Sequence, residues 1–215
     1  MKEKNHYTVQ DIINIVQPTN DYLCKICDNV YNLIFTRFTL RNIDNDDIII
    51  DITLTKLNKE NEKYTEPISY STINTDLSCT STNLIDSNVN ENDDYEVDDD
   101  SKNIRFVRYY FKQEFIDLTN IGASIEFKIG SKEINSMRMI EKLYFKQHHL
   151  KTFDFDFGYV IPNSTNTCEI VYSFPTVSDE MKKEMINEPW ETKSDAFYFV
   201  NNQLIMHNKV EYSFT

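Results

Sequence analysis

The chain predicts an all-β fold, a β-sandwich of two packed sheets. Two observations carry that prediction. It holds 14 Phe and 13 Tyr against 3 Gly and 5 Pro, a composition that favours half-buried pleated surfaces. Short runs of strand-type residues also recur between turn signals at near-regular spacing. With 215 residues, one substantial core can be buried.

Taken in order, Thr8-Val9-Gln10-Asp11 followed by Ile12, Ile13, Ile15 and Val16 reads as a short capped helix stopped by Pro18. Residues 31–43 and 48–57 read as two strands of a hairpin, joined through Asn42 to Asp47. Residues 58–103 are rich in Asn, Ser, Thr and Asp, with aromatics only at Tyr64, Tyr70 and Tyr95. Such a stretch buries too little apolar area to offset its ordering entropy and is expected to be a disordered insertion. Strand signals resume at 104–111 and continue at 124–129, 137–145, 150–160, 168–174, 197–200 and 203–214. Residues 179–187 read as a short helix. The organisation expected is an N-terminal segment, 1–18, and a single sandwich, 19–215, interrupted at 58–103.

The net charge of −13 argues against a nucleic-acid or anionic-membrane surface. Its source is local. Eight acids lie between Asp86 and Asp100 with no Lys or Arg, and removing eight negative charges from −13 leaves −5. No apolar run approaches the roughly 18–20 residues of a membrane helix. The N-terminal residues show no apolar signal region, Lys2 stands where N-myristoylation needs Gly, and Tyr212-Ser213-Phe214-Thr215 offers no prenylation Cys. The expectation is a soluble cytoplasmic protein, not an integral membrane one, without a lipid of its own.

Catalytic signals are weak. Cys24 and Cys27 have CxxC spacing, but no second pair completes a zinc site and the flanks offer no βαβ setting. The plain reading is two free thiols. His148 and His149 point apart on a strand, and His6 and His207 show no partner. Asp154 and Asp156 share a strand face, where they could act as paired carboxylates or simply face solvent. Asn163-Ser164-Thr165 fits a glycosylation sequon without a secretory signal to expose it. No phosphate loop or nucleophile elbow is present. No catalytic residue, metal or cofactor is expected.

The aromatic strands are more informative. Phe153, Phe155 and Phe157 alternate with the two Asp, so one face carries three rings. Gly158 marks a bend or a close backbone approach, and Pro162-Asn163-Ser164 a turn. Along 203–214, alternation puts Leu204, Met206, Val210, Tyr212 and Phe214 on one side, with Asn208 among them. In 137–145 one face reads Met137, Met139, Glu141, Leu143, Phe145, and the other Arg138, Ile140, Lys142, Tyr144. Glu141 therefore sits on the apolar side, at a cost of several kcal/mol unless compensated. A bulge could turn it outward, a buried salt bridge could pair it, or it could form a polar contact at a pocket mouth. The rings likewise either fill a core or line a pocket.

Several separated strings resemble one family in the right order. They are Asp21-Tyr22-Leu23-Cys24, Arg37-Phe38, Arg105-Phe106-Val107-Arg108-Tyr109, Arg138-Met139-Ile140-Glu141, the stretch from Phe153 to Glu169 with Thr167-Cys168-Glu169 at its end, Ser194-Asp195-Ala196-Phe197-Tyr198-Phe199-Val200, and Met206-His207-Asn208-Lys209. Over residues 8–57 and 102–215 the chain is similar to the family of the GMP phosphodiesterase delta subunit, and within it to the acyl-binding Unc (uncoordinated, one-nineteen) branch. These are lipid-binding chaperones. The resemblance implies an immunoglobulin-like sandwich with a lipid pocket between its sheets. It implies lipid contacts at Phe38, Tyr109, Phe115, Glu141, Phe153, Tyr172, Phe174, Tyr198 and Tyr212. It further implies N-myristoylated cargo such as G-protein alpha subunits, ciliary trafficking, and release by a GTP-bound Arf-like small GTPase. A prenyl-binding carrier of the delta-subunit kind and a ligand-free sandwich adaptor are the alternatives. The stretch from Phe157 to Thr167 is at least as close to the prenyl branch, whereas Asp21 to Cys24 and Cys168-Glu169 favour the acyl one.

Overall fold

The computed structural model describes residues 6–53, 80–82 and 105–215. Helix α1 (Val9–Ile13) starts on a reciprocal cap: the Thr8 hydroxyl accepts from the Asp11 amide, and the Asp11 carboxylate accepts from the Thr8 amide. It ends at Ile13, ahead of Pro18. The hairpin of β1 (Ile34–Asn42) and β2 (Ile48–Thr53) turns through Asp46 at φ 59°. Strand β3 (Thr80–Thr82) lies within the segment expected to be disordered, and it pairs antiparallel with β4 (Phe106–Phe111). The rest of the acidic stretch lies outside the described residues. There follow β5 (Ile121–Lys128), β6 (Ile134–Phe145), β7 (His148–Val160), β8 (Thr165–Tyr172), α2 (Asp179–Asn187), β9 (Thr192–Val200) and β10 (Gln203–Phe214).

These strands make two sheets, a four-stranded one in the order β2-β1-β5-β8 and a six-stranded one in the order β3-β4-β10-β9-β6-β7. The pairing of β10 with β4 is parallel; the others are antiparallel. The fold is the predicted all-β sandwich. No helix among the described residues is long and apolar enough to cross a membrane.

Two apolar clusters fill the space between the sheets. One centres on Phe127, Ile134, Met137 and Val200, the other on Phe111, Phe115, Ile121 and Phe214. Phe38 and Tyr172 pack against both. Gly158 has φ +67°, and a Cβ added there would meet nothing within 4 Å. It therefore serves a bend and not a close approach: the β6–β7 register jumps there, with Met137 opposite Gly158 and Arg138 opposite Asp156. Asp156 accepts the Gly158 amide and Asp154 takes Arg138 through two hydrogen bonds. Both carboxylates are exposed and secure the outside of this strand.

The other face of the six-stranded sheet is also buried where β6, β9 and β10 run. Residues 7–23 lie across it, and Ile12, Ile140, Phe197 and Phe199 form a third cluster with Tyr7, Val9, Ile15, Leu23 and Leu204. Leu204 thus departs from the face expected of it. The β9–β10 register shifts between Leu204 and Met206, which returns Ile205 and Met206 to the inner cluster. Lys142 is 2% exposed. Its ammonium donates to the carbonyls of Ile12 and Ile13 at 3.2 and 2.7 Å and to that of Ile15. It therefore closes the C-terminal end of α1, where backbone acceptors lack helical partners.

His207 is fully buried and does have partners. The Leu23 amide donates to its Nδ1 at 3.1 Å, which leaves the proton on Nε2, 3.2 Å from Asp195 Oδ1. Asp195 also accepts the Thr19 amide at 2.8 Å and lies 3.3 Å from the Lys209 ammonium. Burial pushes the Asp195 carboxyl upward, but His207, Thr19 and Lys209 outweigh it and hold the group below the usual range. Burial depresses the His207 pKa below 6.5, against the attraction of Asp195 and with help from Lys209 and Arg105.

His207 is thus neutral in the fold, and the unfolded chain takes up the proton first as the pH falls. The contribution is complete above about pH 6.5 and is lost below it. His149, lowered first by burial, adds to the same decline. Urea midpoints should fall from pH 8 to 5. His207→Asn should remove part of that slope, at most about 1.4 kcal/mol per pH unit. A slope indifferent to the substitution would assign the effect elsewhere.

Candidate functional site

A cavity of about 90 Å³ lies between the sheets. The four-stranded sheet contributes Phe38 and Leu40 from β1, Ala123 and Ile125 from β5, and Ile170 and Tyr172 from β8. The six-stranded sheet contributes Tyr109 and Phe111 from β4, Met139, Glu141 and Leu143 from β6, Phe153 and Phe155 from β7, and Tyr212 from β10. Phe115, from the 3-10 turn Gln113–Asp117, and Phe174, just past β8, complete it.

The structure brings Phe38, Tyr109, Phe115, Glu141, Phe153, Tyr172, Phe174 and Tyr212 together around this one space. It does not bring Tyr198 there. That ring belongs to the neighbouring inner cluster, 5.1 Å from Phe35 between centroids. Phe157 sits in the same cluster, edge-on to Phe127 at 6.3 Å. Sequence reasoning did not single out the other eight lining residues as site residues. Six of them stand two positions from a named residue on the same strand: Leu40, Phe111, Met139, Leu143, Phe155 and Ile170. The period of two was the signal for them. Ala123 and Ile125 come from β5, on which no large ring pointed to the cavity.

Ring contacts shape the walls. Phe111 stacks on Phe115 at 3.9 Å and 10°, and Phe174 meets Phe115 edge-on at 5.8 Å. Phe153 and Tyr172 touch across the sheets at 5.0 Å, and Phe38 approaches Tyr109 at 6.4 Å. Such tilted and edge-on contacts between large rings leave gaps that small aliphatic cores avoid.

Glu141 stands opposite Phe153 in regular register, between the β6 irregularities at Met137–Arg138 and Leu143–Tyr144. No bulge turns it away. Its partly exposed surface lines the cavity. The Tyr212 hydroxyl lies 3.4 Å from its Oε1 and 2.9 Å from the Ser194 hydroxyl. Among the described residues no Lys, Arg or His forms an ion pair with it. Burial raises the Glu141 pKa, with the Ser194 and Tyr212 hydroxyls opposing. The phenols of Tyr172 and Tyr212 are raised far above 10, by burial first and then by the Glu141 charge.

The lining holds no serine, cysteine or histidine. No group of three His, Cys, Asp or Glu able to hold a metal occurs among the described residues. Cys24 is half-buried and Cys27 exposed. Burial lifts the Cys24 thiol to about 11 despite Arg105 nearby, which leaves little thiolate for chemistry. The arrangement offers an apolar, ring-lined space with one carboxylate, Glu141, in its wall.

Comparison with known proteins agrees with this architecture. The profile of the family "GMP-PDE, delta subunit" matches residues 27–214. Protein unc-119 homolog B-A of Xenopus laevis is 40% identical over 210 residues, covering 98% of this chain and 74% of that protein. Protein unc-119 of Caenorhabditis elegans is 38% identical over 211 residues, covering 98% and 81%. Protein unc-119 homolog B of Homo sapiens is 37% identical over 205 residues, covering 95% and 70%. With matches spanning nearly the whole sandwich, the chain belongs to the GMP-PDE delta subunit family.

Proposed function

We propose that this chain is a lipid-binding carrier that takes the N-terminal myristoyl chain of an acylated protein between its sheets. The observation that carries the reading is the aromatic cavity with one acceptor, Glu141, in its wall. Burying about 12 methylenes at roughly 0.8 kcal/mol each yields on the order of 10 kcal/mol gross. A single myristoyl chain holds a membrane only reversibly, with a constant of about 10⁴ M⁻¹. A carrier that keeps part of the gross energy after ordering costs therefore competes with the bilayer.

The present cavity of about 90 Å³ is below the roughly 150 Å³ that accommodates benzene and the ~300 Å³ of a small-molecule pocket. Acyl entry therefore requires rings to move. Phe115 and Phe174 are the candidates, because neither is fixed in the middle of a strand. In this reading the chain works in the cytoplasm on N-myristoylated cargo such as G-protein alpha subunits, en route to membranes including that of the cilium. A GTP-bound Arf-like GTPase unloads it. By linkage, cargo weakens GTPase binding by the same factor by which the GTPase weakens cargo binding.

A myristoylated N-terminal Gly peptide should bind at least about 100-fold more tightly than its unacylated twin, measured by fluorescence anisotropy. Equal binding would remove the carrier reading and favour a ligand-free adaptor. Tighter binding of a farnesylated peptide would favour the prenyl branch.

Ala123→Phe places a ring into the cavity. It should lower acyl-peptide affinity by at least about tenfold while changing stability by no more than about 3 kcal/mol. Undiminished binding to the folded variant would locate the lipid elsewhere.

In stopped-flow release of a labelled acyl peptide, the GTP-loaded Arf-like protein should accelerate dissociation and the GDP-loaded form should not. Equal rates would exclude this unloading step.

A further inference from the structure

We propose that the cavity selects lipids that are uncharged where the chain meets its head group, and that Glu141 makes it exclude free fatty acids. The inference rests on the carrier reading and deepens it.

A fatty acid and an acyl amide of equal length bury the same methylenes, so apolar lining alone cannot tell them apart. They differ at one point. The acid presents a carboxylate, and the amide presents a neutral N–H that donates. A site that welcomes the acid neutralises its charge with a cation; the phenols of Tyr109, Tyr172 and Tyr212 can donate to a carboxylate but leave its charge in place. None of the sixteen lining residues is a Lys, Arg or His, and Glu141 is the one acid among them.

The groups facing Glu141 extend the contrast. Ser194 on β9 and Tyr212 on β10 already direct hydroxyls to each other and to the carboxylate. Tyr109 on β4 and Tyr172 on β8 supply further phenols and no positive charge. The neighbouring cations are turned away. Lys142 donates to the α1 carbonyls on the opposite face of the sheet. Lys151 packs over Phe153 but donates to the carbonyl and hydroxyl of Ser173.

A fatty-acid carboxylate in the cavity would thus meet a like charge with nothing to neutralise either. Two such charges about 5 Å apart, at an effective dielectric near 20, weaken binding about 250-fold. The complex could escape the repulsion by taking up one proton shared between the carboxyls. Acid binding should then strengthen as the pH falls, up to about tenfold per unit. An amide N–H faces no such repulsion and gives the carboxylate a donor. A carrier built this way would leave the cell's free fatty acids unbound and keep its cavity for acylated amines.

Laurate and dodecanamide form a matched pair, with a chain of the same length and a head of similar size but opposite demand. Each can be titrated against the full chain by displacement of a fluorescent lauroyl-glycyl peptide. Dodecanamide should displace the peptide at least about 30-fold more effectively than laurate at pH 7.5. Laurate should gain on lowering the pH to 6, while dodecanamide should not. Glu141→Gln, nearly isosteric and uncharged, should close most of the gap by improving laurate. If laurate and dodecanamide compete equally, or the gap survives Glu141→Gln, the inference fails while the carrier reading stands. If neither ligand nor the lauroyl peptide binds, the carrier reading fails and takes the inference with it. Should Glu141→Gln not fold, Glu141→Met, which also removes the charge, should close the same gap, and a gap that survives it overturns the inference.

Discussion

The middle of the six-stranded sheet, β6, β9 and β10, is buried on both faces, and most of the molecule follows from that constraint. In an ordinary sandwich each strand alternates between a core and water. Here β6, β9 and β10 alternate between two interiors. Glu141 and Leu143 face the cavity while Ile140 and Lys142 face the N-terminal segment. Ser194 faces inward to Tyr212, and Asp195 outward to Thr19. Tyr212 lines the cavity, and His207 lies against Tyr22 and Phe197 on the far side. The wall of the site is therefore held from behind by residues close in sequence to those that form it.

The backing carries buried charge, which is tolerated only when each group is satisfied. Lys142 meets three carbonyls. Asp195 meets a backbone amide, an imidazole and an ammonium. His207 uses both ring nitrogens. Each of these three side chains joins the sheet to residues 12–23 through at least one such contact. The N-terminal segment, with five residues of helix, is too short to hold structure by itself. It is fixed because buried side chains of the sheet require its backbone.

This distribution explains what the sequence disclosed. Local patterns revealed the strands other than β3, the helix Asp179–Asn187 and the inward face of Phe153, Phe155 and Phe157, because helix and strand periods are local properties. Alternation also put Glu141 on the apolar side, and the resemblance supplied eight residues that share the cavity. It could not show that the face of Ile140 and Lys142 is covered, since the covering residues lie about 130 positions away. His207 looked partnerless for the same reason: Leu23 is 184 positions distant. Leu204 was assigned to the wrong face because a bulge resets the count, and nothing in Gln203-Leu204-Ile205-Met206 announces one. Tyr198 shares an inward face with the site residues, but no local pattern distinguishes the cavity from the packed cluster beside it.

The two faces of the same strands treat polar groups differently. Behind the wall, Lys142 and Asp195 each gather three partners. In front of it, Glu141 meets only neutral hydroxyls, those of Ser194 and, at 3.4 Å, Tyr212, and no counter-charge among the described residues. Its neighbours in sequence show that this sheet can satisfy a buried charge when folding requires it. An aliphatic residue at 141 would fill space and remove a desolvation cost, and Leu143, two positions on, does so in the same cavity wall. Folding stability therefore gives no account of a carboxylate at this position. Local departures from the best-packed arrangement collect where a protein meets something other than itself. The unfilled volume and the under-satisfied acid coincide here, where rings from both sheets approach without closing.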